Sequence, residues 1–161
     1  MLALLRQVNR DLGVTIVLIT HELDVIRSVT DRVAVLDRGR VVESGSAYDV
    51  FARPKSEAAA QFVRTALRDR PSPETLARLR ARHSGRLITV RIRDHEGFST
   101  RLARTFLDHG VAADIVFGGI SELQERPFGS LTFELTGADS SVDAAVAALR
   151  ADGAELTEEE T

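Results

Sequence analysis

The feature that most constrains this 161-residue chain is an apolar run, Val14 to Ile19, that stops abruptly at Thr20-His21-Glu22. A run of that length without polar alternation is the pattern of a β-strand buried on both faces, as in the middle of a parallel α/β sheet. Such a strand needs parallel neighbours, because its backbone N–H and C=O groups must be paired once they leave water. The residues before it do not offer one. Met1, Leu4, Leu5, Val8 and Leu12 follow the spacing of an amphipathic helix, and Gly13 is its expected stop. His21 falls just past the carboxyl end of the expected strand, where open α/β sheets bind ligands. An imidazole there can donate to a phosphoryl oxygen or hold an attacking water, although a lone strand-end histidine is more often a structural cap.

Downstream, Leu23, Val25, Ile26 and Val29 suggest a short helix packed on that sheet, with Glu22 and Asp24 in the first turn where the helix dipole favours them. Asp31 to Gly45 reads as two short apolar strands about a tight Arg38-Gly39 turn. Ser46 fits the N-cap of a helix carrying Tyr48, Val50 and Phe51 and ended by Pro54. A further helix from Ser56 carries Ala59, Phe62, Val63 and Ala66.

Taken in order, Thr15 to Gly45 resembles the end of an ATP-binding-cassette ATPase, and the likeness continues to about Leu67. The resemblance implies that His21 is the switch-loop histidine, which in a complete subunit contacts the γ-phosphate of ATP. It also implies that ATP and Mg are held by a glycine loop, a signature motif and metal-binding carboxylates that precede this stretch in the family. No Gly-x-x-x-x-Gly-Lys-Ser/Thr occurs here and the one lysine is Lys55, so neither a phosphate cradle nor its point charge is encoded. The expectation is a chain that binds no cofactor and hydrolyses no ATP by itself, being the carboxy-terminal part of a longer subunit. Residues 1–67, isolated, should expose the unpaired apolar run and aggregate or unfold.

Charge divides the chain. Residues 1–85 carry 14 basic and 10 acidic side chains, whereas 86–161 carry 7 basic and 14 acidic, which places a boundary near Gly85. Residues 68–85 read as a linker with a short helix begun by Ser72-Pro73 and carrying Leu76 and Leu79. Its arginines, from Arg64 and Arg68 through Arg82 to Arg86, read as a solvated helix face in preference to an anchor on anionic lipid.

The second half alternates regularly. Ile88, Val90 and Ile92 line one face of a strand. Phe98, Leu102, Ala103, Phe106 and Leu107 make a helix stopped by Gly110. Val111 to Ile120 and Leu131 to Leu135 are strands joined through Pro127-Phe128-Gly129. Val142, Ala145, Val146 and Leu149 make a second helix, ended near Gly153, before a strand at 154–157 and a solvated tail at Glu158-Glu159-Glu160. The order β-α-β-β-α-β is the ferredoxin-like plan. The fold class expected is therefore an α/β fragment, the C-terminal part of a cassette ATPase domain, followed by an α+β ferredoxin-like domain.

An open sheet face would show Thr89, Arg91, Thr132 and Glu134 without an aromatic side chain, and this half is acidic, so both counts speak against nucleic-acid binding. A domain of this size has a small core, and pairing through an open face is a common remedy. Gly118-Gly119 interrupts the second strand, either to bring backbone groups up to a ligand or simply to bend the strand.

Asp114 to Ile120, with Arg126 to Thr132 and Glu134 to Gly137, resembles the NIL domain that follows the cassette in ATPase subunits of methionine importers. The resemblance implies a regulatory domain that pairs with a second copy and binds L-methionine, using Asp114, Ile115, Val116, Gly118, Gly119 and Ile120. Asp114 stands where the family has an asparagine, and Phe117 where it often has a histidine. Ionised Asp only accepts hydrogen bonds, so it suits an ammonium and repels a carboxylate.

The resemblance further implies a permease partner and a place on the inner face of the plasma membrane, since no run of about eighteen apolar residues is present. A different reading of the same residues is a non-catalytic amino-acid-binding dimer in which 1–67 is a remnant. With no cysteine and with His21, His83, His95 and His109 at no metal-ligand spacing, thiol and zinc chemistry are excluded; Asp94-His95-Glu96 reads as an exposed turn. Glu122 and Glu125 need no catalytic role, and no serine occupies a nucleophile elbow.

Overall fold

The computed structural model describes residues 1–93 and 97–159; the expected turn at 94–96 and Glu160 lie outside the described residues. The chain divides into two compact units, Met1–Leu67 with Glu122–Arg126, and Arg68–Ser121 with Pro127–Thr161.

In the first unit, α1 (Leu2–Leu12) closes on Gly13, whose positive φ of 63° lets its N–H return to the Asn9 carbonyl at 3.0 Å. The strand expected at 14–19 does not form: 13–22 have no regular structure, with Val17 86% and Ile19 95% exposed. Its backbone has no ladder to join, because among the described residues no strand lies beside it. The short helix α2 (Leu23–Val29) consequently packs against α1 and not on a sheet. The hairpin of β1 (Arg32–Asp37) and β2 (Arg40–Ser46) does form, and Arg38 and Gly39 both take positive φ, as a tight two-residue turn between right-twisted strands requires.

Ser46 then caps α3 (Ala47–Ala52), accepting from the Asp49 N–H at 3.0 Å. The carboxylate of Glu43 on β2 accepts from the N–H groups of Lys55 and Ser56 and from the Ser56 hydroxyl at 2.8–3.1 Å, which anchors the start of α4 (Glu57–Leu67). Tyr48, Val50, Phe51, Ala59 and Val63 form the buried centre of this unit, with the Phe51 and Phe62 rings edge to face at 5.9 Å.

The second unit opens with α5 (Pro73–Arg82), capped by Ser72. There follow β3 (Arg86–Arg93), α6 (Phe98–Asp108), β4 (Ala112–Leu123), β5 (Arg126–Thr136), α7 (Asp139–Ala151) and β6 (Leu156–Glu158). The sheet order is β4-β5-β3-β6, with β3 antiparallel to β5 and β6, which is the ferredoxin-like arrangement. Ile88, Val90 and Ile92 of β3, opposite Phe133 and Leu131 of β5, bury one sheet face against Phe98, Leu102 and Phe106 of α6 and Val142, Val146 and Leu149 of α7. The Phe106 and Phe133 ring centroids are 5.6 Å apart.

Three expectations for this half need correction. The β4–β5 connection lies at Gln124-Glu125, not at Pro127-Phe128-Gly129, which run inside β5. Both turn residues take positive φ without being glycine or asparagine, so no turn signal stood in the sequence. The acidic tail is engaged: Glu158 pairs with Arg86 and Arg150, and Glu159 accepts from the Thr89 hydroxyl at 2.8 Å while its N–H reaches the Leu87 carbonyl. The sheet face opposite the helices is not open. Leu87, Thr89, Thr132, Ser130 and Phe128 on it are buried, so it also carries an aromatic ring, contrary to expectation.

Candidate functional site

The two candidate sites fall in separate units. His21 lies exposed in the irregular stretch, two residues before α2, where Thr20 Oγ1 accepts from the Glu22 N–H at 3.0 Å. Its expected place at a strand end is therefore lost with the strand. The donor set around it does not fit a nucleotide: the chain encodes no glycine cradle, its lysine is Lys55 on another loop, and among the described residues no three metal-ligating side chains converge.

The second candidate is better defined. Asp114, Ile115, Val116, Gly118, Gly119 and Ile120 all lie on β4, which is an outer strand of the sheet with no strand on its far edge among the described residues of this unit. Ala113 packs on the helix-side core, so alternation puts Asp114 and Val116 on the opposite face and Ile115 on the helix side. Asp114 is exposed, Val116 half-buried, and Ile115 and Ile120 are 63% and 52% exposed. The strand thus offers water an acidic group, two large apolar side chains and an outer row of backbone donors and acceptors.

The two glycines are not equivalent. A Cβ on Gly118 would stand 2.3 Å from the Ser130 carbonyl oxygen and 2.9 Å from the Leu131 Cα, and the residue takes φ 122°, so packing against β5 alone requires glycine there. Gly129 is its counterpart across the hairpin: a Cβ there would stand 2.1 Å from the Gly119 carbonyl oxygen, at φ 150°. Gly119 has open space where a side chain would be. Gly118 is accounted for by strand packing, whereas Gly119 leaves backbone accessible to an approaching group. Gly129 was missed as part of this arrangement, because it reads as loop until the turn is known to lie at 124–125.

Glu134 was also missed as an anchor. Its carboxylate accepts from the Gly85 N–H at 2.8 Å and lies 2.6 Å from His83 Nδ1. The Gly85 N–H, followed by the His83 hydrogen bond, holds this carboxyl below its ordinary range. On the same face Thr89 and Thr132 join hydroxyls at 2.9 Å. Burial, with Arg70 and Arg93 close by, pulls the Arg91 guanidinium below its ordinary range, while Glu155 and Asp69 act in the opposite sense.

Residues 86–158 match the family model of the NIL domain. The chain is 54% identical over 152 residues to a methionine import ATP-binding protein of Rhodococcus jostii, 55% over 148 residues to one of Nocardia farcinica, and 51% over 149 residues to one of Leifsonia xyli. Each match takes in 92% of this chain and 44% of the relative, so the chain spans under half the length of the proteins it matches. Residues 86–158 are thus similar to the NIL domain, and most of the chain is similar to part of methionine import ATP-binding proteins.

Proposed function

We propose that this chain is a portion of the ATP-hydrolysing subunit of an amino-acid importer, with methionine as the amino acid, and that residues 86–161 sense it. The observation that carries the reading is the agreement along 92% of the chain with proteins named for methionine import, together with an acidic, backbone-accessible outer strand in the NIL domain. In the complete subunit ATP and Mg would be held outside this stretch, with His21 at the γ-phosphate. A permease would then place the subunit at the inner face of the membrane; among the described residues no helix is long and apolar enough to cross one. In domain terms, 1–67 are the end of the ATPase domain, 68–85 the linker and 86–161 the sensor.

The sensor reads its ligand at β4. Asp114 meets the ammonium group, Gly119 and its neighbours offer backbone groups to the carboxylate, and Val116, on the face of Asp114, with Ile120 supplies apolar surface for a thioether side chain, while Ile115 stands on the helix side. The exposed edge and apolar side chains of β4 suit pairing with a second copy, which would enclose the ligand between two such strands. A ligand of this kind regulates transport only if it favours one arrangement of the subunits, by roughly 1–3 kcal/mol.

One further reading, a sensor dimer working without an ATPase, is favoured by a single observation: the second unit has its own closed core while the apolar run 14–19 is bare. Calorimetric titration of the full chain with L-methionine tests what both readings share. Saturable binding is expected, weakened about tenfold or more in Asp114→Ala, the loss of one charge-assisted contact. Absence of binding in both the natural chain and Asp114→Asn would overturn the sensor. In-frame coding for a glycine loop and signature motif just before Met1 separates the transporter from the free dimer.

A further inference from the structure

We infer that residues 69–85 are a detachable strap over the second face of the sheet of the second unit, clasped at one end by Glu134 and held at the other by buried Asp69. The inference rests on the geometry of the second unit and does not depend on which ligand that unit takes. At one end Glu134 accepts from the Gly85 N–H and lies 2.6 Å from His83 Nδ1. At the other, Asp69 is buried, at 7% exposure, although it is a charged residue of the linker. In the ladder Glu134 is opposite Leu87, and Ser130 is opposite Arg91, four residues further along β3. Four residues of strand cover roughly 13 Å, and the ten residues of α5 measure about 15 Å. The segment therefore has the length needed to lie over Thr89 and Thr132, and both are almost wholly removed from water although no helix of the core lies on that side.

The attachment is concentrated at the ends. No residue of α5 is fully buried, and Leu76 and Leu79 are only half-covered, so the helix itself adds little apolar hold. Gly85 is the residue that allows the chain to descend onto the sheet: a Cβ there would stand 2.5 Å from the Leu135 carbonyl oxygen and 2.7 Å from the Glu134 Cγ. Released, residues 68–85 become a tether of about 18 residues whose ends average roughly 23 Å apart, and they uncover Leu87, Thr89 and Thr132. The strap thus sets both the length of free chain leaving the second unit and whether the second sheet face is covered.

The test uses the full chain with three variants, Glu134→Gln, His83→Ala and Gly85→Ala, and residue-resolved hydrogen–deuterium exchange. The expected result is that amides of 73–82 exchange faster, on the order of tenfold, in all three variants, while β3 and β5 amides keep their protection. His83→Ala removes a side chain that is 26% exposed and lies outside the core, so it remains informative if Glu134→Gln or Gly85→Ala fails to fold. Unchanged exchange of 73–82 in His83→Ala would overturn the clasp. Loss of β3 and β5 protection together with that of 73–82 in His83→Ala would overturn detachability, because the segment would then be part of the core.

Discussion

Val17 and Val90 are the same side chain in two apolar runs of this molecule, yet the first is 86% exposed and the second wholly buried. Around Val90 the chain supplies everything a strand needs: β5 and β6 pair with β3 on either side, and α6 and α7 cover the face. Around Val17 it supplies none of these among the described residues. The difference teaches that a buried strand is a property of neighbours as much as of its own residues. Apolar character provides the tendency to leave water, but the backbone can follow only where a ladder receives it.

That comparison can be broken most forcefully by truncating one side chain in each region. Phe133→Ala removes a ring packed on Phe106 and should cost about 3–5 kcal/mol. Ile19→Ala removes a side chain that is 95% exposed and should change stability by less than about 0.5 kcal/mol. Urea unfolding followed by circular dichroism measures both; a comparable loss from Ile19→Ala would mean that 14–19 is buried after all.

Within the second unit, the glycines give a finer version of the same contrast. Gly118→Ala places a methyl group against the β5 backbone at a positive φ and should cost about 1–3 kcal/mol. Gly119→Ala enters open space and should leave the urea midpoint nearly unchanged while weakening methionine binding. If Gly119→Ala binds as the natural chain does, the backbone there has no part in the site.

The two units also offer parallel carboxylates. Glu134 is held below its ordinary range by Gly85 and His83. For Glu43, burial acts upward, but the hydrogen bonds from Ser56 and Lys55 prevail and the net direction is also down. A carboxyl whose folded pKa is depressed contributes stability that is fully present above its unfolded value, about 4.3, and is lost as pH falls through the folded one. Stability measured against pH should therefore decline below about pH 4.3, and Glu134→Gln should flatten the part of that decline belonging to the second unit. A slope unaffected by the substitution would remove Glu134 from the account. The smallest effect is expected at Arg86, a partly exposed partner of Asp143 at 2.6 Å and of Glu158, where Arg86→Ala should cost about 0–1 kcal/mol and salt should reduce the difference.

Much of the second unit was legible because its signals are local. Alternation fixed β3, the spacing of Phe98, Leu102 and Phe106 fixed α6, and Gly110 closed that helix with its N–H on the Leu107 carbonyl. What escaped was decided across the sheet. Gln124 and Glu125 carry no turn signal, so β5 was read as starting too late and Gly129 was not matched with Gly118. Glu134 and Glu159 look like solvated charges until the segments they meet are known, and the covered second face depends on a linker whose own composition suggests only exposure. In the first unit the Arg38-Gly39 hairpin and the Ser46 cap were readable for the same local reasons, while the strand at 14–19 failed because its pattern describes a context and not a structure.

The most direct test is amide exchange measured residue by residue by NMR in one sample of the chain, comparing 14–19 with 87–92. Exchange of 14–19 within about tenfold of unstructured peptide rates, with 87–92 protected to the level of global unfolding, is the result this account predicts. Protection of 14–19 equal to that of 87–92 would contradict it.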